Sequence, residues 1–96
     1  MVTYQALYQN EIRAVELTIN DQDGIDFVPS AAYAAIENES GETVVAEQAA
    51  MVTGNQVYTV VGTATTANKG KYRILWRILK NGYTYMHATD LEILEL

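Results

Sequence analysis

The sequence has no cysteine and only one histidine, one tryptophan, one phenylalanine and one proline in 96 residues. Without cysteine there is no disulfide framework, thiol nucleophile or thiolate metal site, which fits a reducing compartment. A lone histidine cannot build a common zinc site unless carboxylates complete it. Bases are scarce too: six Lys and Arg stand against twelve Asp and Glu, for a formal charge of −6. That balance disfavours nucleic acid as a general partner, because phosphate binding needs a basic surface. No long apolar run exists. The longest uncharged stretch, Gln48 to Asn68, carries five threonines, two glycines, two glutamines and two asparagines, so it is no membrane span. The first residues, Met-Val-Thr-Tyr-Gln, have neither the basic start nor the apolar centre of a secretion signal.

What is present suits one small globular domain. Apolar residues make up 49% of the chain, too many for a disordered segment, and the length is that of a single domain. Six glycines punctuate the sequence at intervals of 8 to 17 residues. Asp23-Gly24, Ser40-Gly41, Gly54-Asn55 and Asn81-Gly82 all favour turns that need positive φ. Between them lie short alternating runs. Val15, Leu17 and Ile19 alternate with Glu16 and Thr18. Tyr72, Ile74, Trp76 and Ile78 alternate with Lys71, Arg73, Leu75, Arg77 and Leu79. Asn81-Gly82 then predicts a two-residue type I′ hairpin into Tyr83 to His87. Leu91 and Ile93, either side of Glu92, make a last strand. Further strands are expected at Tyr33 to Glu37 and Gln56 to Val61. Thr43 to Val52 reads as a strand, with a short helix as the alternative, because its Ala-Glu-Gln-Ala-Ala stretch has helix propensity. Residues 1–10 are an N-terminal arm or an edge strand, and 11–96 a single domain. The fold class is all-β: an immunoglobulin-like antiparallel β-sandwich of about seven strands, with a small OB-like or other β-barrel as the alternative.

No reactive constellation emerges. His87 sits on a predicted strand with no triad spacing to any serine or threonine, and no Gly-x-Ser-x-Gly elbow exists. Asp21-Gln22-Asp23-Gly24-Ile25-Asp26 looks faintly like a calcium loop. The EF-hand pattern needs a glutamate at its twelfth position, where Ala32 stands, so a solvated turn is the better reading. Glu37, Glu39 and Glu42 surround a turn and read as solvated carboxylates rather than acid–base catalysts. Hence no catalytic residue, metal ligand or cofactor is expected, and no small-molecule substrate, nucleic acid or membrane partner.

Contact residues are a different matter. Leu75 and Leu79 share the outward face of their strand with Lys71, Arg73 and Arg77, so that face mixes apolar area with one sign of charge. Tyr4 and Tyr8 project from one side of the N-terminal segment, and tyrosine is favoured at interfaces. These seven are the interface candidates. Charge is also uneven along the chain: nine of the acids fall between Glu11 and Glu47, and five of the six bases between Lys69 and Lys80. The basic strand is expected to meet an acidic neighbour, such as a second copy placed head to tail.

The order of elements resembles a known group. Val15-Glu16-Leu17-Thr18-Ile19 is followed by Asp21 to Phe27, and then by Ala32 to Asn38 with Ser40-Gly41-Glu42. Then come Gly54-Asn55-Gln56-Val57-Tyr58 and a threonine-rich stretch from Thr63 to Thr66. Gly70-x-Tyr72-x-x-x-Trp76-x-Ile78 comes next, and Lys80-Asn81-Gly82-Tyr83 with a strand at Leu91-Glu92-Ile93 closes the pattern. Over about residues 11 to 96 this is similar to the small immunoglobulin-like domains of tailed-bacteriophage structural proteins. Where those domains often open on a basic-Gly-Asp-Thr signal, Gln9-Asn10-Glu11 stands here. The resemblance implies a non-enzymatic virion structural protein, assembled in the host cytoplasm and present in many copies on capsid, neck, tail or baseplate, with capsid decoration or a head–tail position among the options. Its partners would be phage capsid, neck or tail proteins, or copies of itself. A bacterial cell-surface or carbohydrate-binding β-sandwich module is the alternative.

Overall fold

Alternation at two-residue spacing gives each strand one apolar and one polar side. Two sheets close their apolar sides on each other in the computed structural model, which describes residues 2–19 and 28–95. The five-stranded sheet runs in the order β1 (Val2–Tyr8), β8 (Tyr83–Leu94), β7 (Gly70–Lys80), β3 (Ala31–Asn38), β4 (Thr43–Ala49). The three-stranded sheet is β2 (Arg13–Thr18), β6 (Gln56–Val61), β5 (Met51–Thr53), and a single helical turn, α1 (Thr63–Thr66), links β6 to β7. Neither sheet closes on itself, so the barrel alternative falls and the sandwich stands.

Two details differ from the expectation of about seven antiparallel strands. Among the described residues there are eight strands, because Thr43 to Thr53 breaks at Ala50 into β4 in one sheet and β5 in the other. One pair, β1 with β8, is parallel. A parallel pair needs a long crossover, and here the rest of the domain supplies it. The N-terminal segment is thus an edge strand, with Leu7 in the core. The turn expected at Asp21 to Asp26 lies outside the described residues.

The core is read directly from the alternating runs. Val15, Leu17 and Ile19 face Ile74, Trp76, Ile78, Leu91 and Ile93, with Val57 and Val61 beside them. Trp76 is fully buried. Its space comes from β3, whose inward residues beside it are small: Ala34 lies directly across from Trp76 and Ala32 across from Ile78. The indole cannot be buried without a partner for its N–H. It donates to Thr89 Oγ1 on β8 at 2.9 Å, and Thr89 shares a further hydrogen bond of 2.7 Å with Thr3 Oγ1 on β1. One buried chain therefore ties three neighbouring strands.

The connections are held as locally as the strands. Asn81 (φ 51°) and Gly82 (φ 80°) form the two-residue turn between Lys80 and Tyr83, as the type I′ reading requires. At the start of β7 the Tyr72 hydroxyl donates to the Asn68 carbonyl at 3.0 Å, stapling the corner after α1. Thr66 Oγ1 donates to the Glu11 carbonyl at 2.7 Å, and the Asn10 N–H to the Thr66 carbonyl at 2.8 Å, so the same turn anchors the β1–β2 connection.

Two substitutions separate packing from hydrogen bonding. Trp76→Ala should cost about 3–5 kcal/mol, a large share of the stability of so small a domain. Thr89→Val keeps the shape but leaves the indole N–H unsatisfied, and should cost about 1–3 kcal/mol. Urea unfolding checks both. A near-neutral Trp76→Ala would mean that the ring does not fill the core.

Candidate functional site

The side of the five-stranded sheet that faces away from the core gathers every interface candidate. On β7 the inward Tyr72, Ile74, Trp76 and Ile78 force Lys71, Arg73, Leu75, Arg77 and Leu79 outward. On β1 the buried Leu7 lies inward opposite Ile93, so Tyr4 and Tyr8 project on the same outer face as β7's outward residues. Tyr4 is 63% exposed and Tyr8 50%. Leu75 and Leu79 are partly buried by their neighbours in the sheet, Ala35 and Ala88 flanking Leu75, and Ala31 and Thr84 flanking Leu79. Met86, directly across from Arg77, is 60% exposed and adds apolar area.

The charges on this face are organised across the strands. Sequence segregation suggests a basic strand in search of acids, but the fold brings the acids alongside. Arg73 Nε donates to Asp90 Oδ1 on β8 at 3.0 Å. Arg77 forms a fork to Glu47 on β4, with Nη2 to Oε1 at 2.6 Å, and its guanidinium lies 4.5 Å from the centre of the Tyr33 ring. The Tyr4 hydroxyl donates to Glu92 Oε1 at 2.8 Å. A basic column is thus flanked by acidic ones, and its neighbours meet much of its charge. These pairs are solvent-exposed, so each contributes little to stability.

At one end of the face the sheet forms a groove of about 540 Å³. Lys71, Arg73, Asp90 and Glu92 lie along its floor, and Tyr4 and the Asn38–Gly41 turn make its sides. The turn is fixed by Asn38, whose Oδ1 accepts from the Ser40 and Glu42 N–H groups, each at 3.0 Å. The sequence reading missed this groove and its floor carboxylates. Asp90 and Glu92 were within reach, because counting outward from Lys80–Tyr83 pairs Arg73 with Asp90 and Lys71 with Glu92. Glu47 was not, because the β3–β4 register shifts twice.

His87 lies on the inward side of β8, across from Trp76. Its Nδ1 is buried and has no hydrogen-bond partner among the described residues. Burial lowers its pKa. Among the described residues no group of three His, Asp or Glu could hold a metal ion. No described helix is long and apolar enough to cross a membrane.

No protein-family model and no curated protein matches the sequence. Solved structures do. A structure of the CBM51-2 and INT domains of Clostridium perfringens ZmpB matches 95% of this chain with a TM-score of 0.53 at 12% identity, and this chain spans 19% of that one. The immunoglobulin-like domain of mouse leukocyte-associated immunoglobulin-like receptor 1, a strand-swapped dimer, matches 96% of this chain and 88% of its own, with a TM-score of 0.50 at 13% identity. A chimeric titin Z1Z2 matches 99% of this chain and 88% of its own, with a TM-score of 0.53 at 10% identity. The fold is an immunoglobulin-like β-sandwich. Within that fold, the Tyr72 staple at the start of β7 occupies the place of the tyrosine corner. At such identities the likeness is one of fold alone.

Two of the perturbed groups, Glu47 and His87, predict how stability responds to acid. Glu47 is held below the usual carboxylate range by its hydrogen bonds from Arg77. Its stabilisation is present above the unfolded carboxylate value, about 4.3, and is lost as pH falls through the lower folded value. Below about 6.5 the unfolded chain protonates His87 while the folded chain resists, so stability also falls with acid from that point. Urea midpoints across pH should therefore decline from near neutrality. His87→Gln should flatten the upper part of the decline and Arg77→Gln the lower part. A wild-type profile flat from pH 7 to 5 would contradict the assignment to His87.

Proposed function

We propose that this domain is a non-enzymatic structural module of a tailed-phage particle, docking through the outer face of its five-stranded sheet onto capsid, neck or tail proteins or onto copies of itself. One observation carries the reading. Seven residues chosen for their chemistry, on two strands from opposite ends of the sequence, share one face, where Leu75, Leu79 and the exposed Met86 sit among charges. An apolar centre with a charged surround is the composition of a protein-docking patch. The resemblance of the Gly70 to Gly82 segment to phage structural domains supplies the particle, and the fold supports a role in binding rather than chemistry. On this reading nucleic acid, membrane and small-molecule substrates are not partners, no cofactor is needed, and the site of action is the virion.

A cell-surface or carbohydrate-binding module is the second reading, favoured by the exposed Tyr4, Tyr8 and Tyr83. It predicts glycan binding that Tyr→Ala substitutions at these positions abolish.

Leu75→Glu combined with Arg77→Glu tests the docking face. The doubly substituted chain should keep a native near-ultraviolet circular dichroism spectrum and fail to enter particles. Incorporation at the wild-type level by a folded variant would exclude this face as the contact surface.

A further inference from the structure

We infer that this chain associates with itself head to tail, the β7–β8 hairpin tip of one copy entering the acidic groove at the far end of the same strand pair in the next. The groove and the hairpin tip differ in charge. Around the groove stand four carboxylates, Glu37, Glu39, Asp90 and Glu92, against two cations, Lys71 and Arg73. The hairpin tip itself is the reverse: from Ile74 to Ala88 the hairpin carries Arg77 and Lys80 and no carboxylate. Arg77 is engaged with Glu47, whereas Lys80 makes no ion pair among the described residues. Next to the turn stands Tyr83, 69% exposed and the most exposed large apolar side chain among the described residues. A cation and an aromatic ring on a rigid type I′ tip complement a groove that is net negative and edged by Tyr4.

Dimensions agree. The sides of the groove belong to β1 and to the turn after β3, which are three strand spacings or about 14 Å apart. The two strands of a hairpin are one spacing apart, about 5 Å, narrower than the separation of those two backbones. The domain is 40 Å long and about 20 Å across. Arg73 and Lys80 are seven residues apart on one strand, about 23 Å. A tip therefore cannot reach its own groove, and its occupant has to be a second copy. A contact between two different surfaces leaves a free tip and a free groove at the ends of every pair, so it continues into a ring or a filament.

Sedimentation velocity over a concentration series tests this on the whole chain. Wild-type protein should form species larger than a dimer as concentration rises. Lys80→Glu and Glu39→Lys, both at positions outside the core, should each weaken association by about tenfold or more. The doubly substituted chain, with the charges exchanged, should recover it. Leu75→Glu strikes the centre of the docking face and neither end, so it should leave self-association intact, which separates this contact from the docking proposed above. A wild-type chain that stays monomeric, single variants that assemble normally, or a charge-exchanged chain that does not recover would each overturn the inference. So would loss of self-association in Leu75→Glu, which would place the contact face to face.

Discussion

A two-residue turn at Asn81-Gly82 sets the register of the longest strand pair, and most of the molecule depends on that register. Both residues take positive φ, which suits the twist of the strands they join and leaves no room for slippage between Lys80 and Tyr83. A shift by one residue would carry every side chain to the opposite face. Trp76 would leave the core, and Arg73 would lose Asp90. With the turn in place, Trp76 meets Thr89, Thr89 meets Thr3, and β1 is drawn against β8 at the edge of the sheet. The same register that fills the core inward arranges the charged and apolar residues outward. Stability and the composition of the outer face are two sides of one constraint.

Burying the tryptophan imposes its own condition. A large ring needs a small neighbour and a partner for its N–H. The alanines at 32 and 34 meet the first need, and Thr89 the second. Close packing is then achieved without cysteine, in a fold whose sheets are in antibody domains joined by a disulfide. Tyr72 adds a staple at the β7 corner, where the chain must cross from one sheet to the other.

Much of this was legible in the sequence, for identifiable reasons. The strands β2, β6, β7 and β8 show plain alternation, and the Asn-Gly turn has one strong reading. The outward residues on β7 follow from that alternation alone. Other parts were not legible. Nothing in Tyr4-Gln5-Ala6-Leu7 says that it pairs in parallel with β8, because that pairing joins the two ends of the chain. The division of Thr43 to Thr53 between two sheets depends on the break at Ala50 and on two register shifts. The groove needs the Asn38–Gly41 turn to stand beside β7 and β8, which is a tertiary arrangement without a local pattern. Segregated charge was visible, but where it cancels and where it persists could be seen only once β4 and β8 were placed beside β7.

The central claim is that this domain acts through the outer face of its five-stranded sheet, and two methionines provide a direct measure. Met86 lies on that face and is 60% exposed; Met51 lies on the outer face of the other sheet and is 58% exposed. In the free chain peroxide should convert both to the sulfoxide at similar rates. In the assembled particle, the account predicts that Met86 is protected and Met51 is not. Protection of Met51 with Met86 still reactive would place the contact on the three-stranded sheet and contradict it.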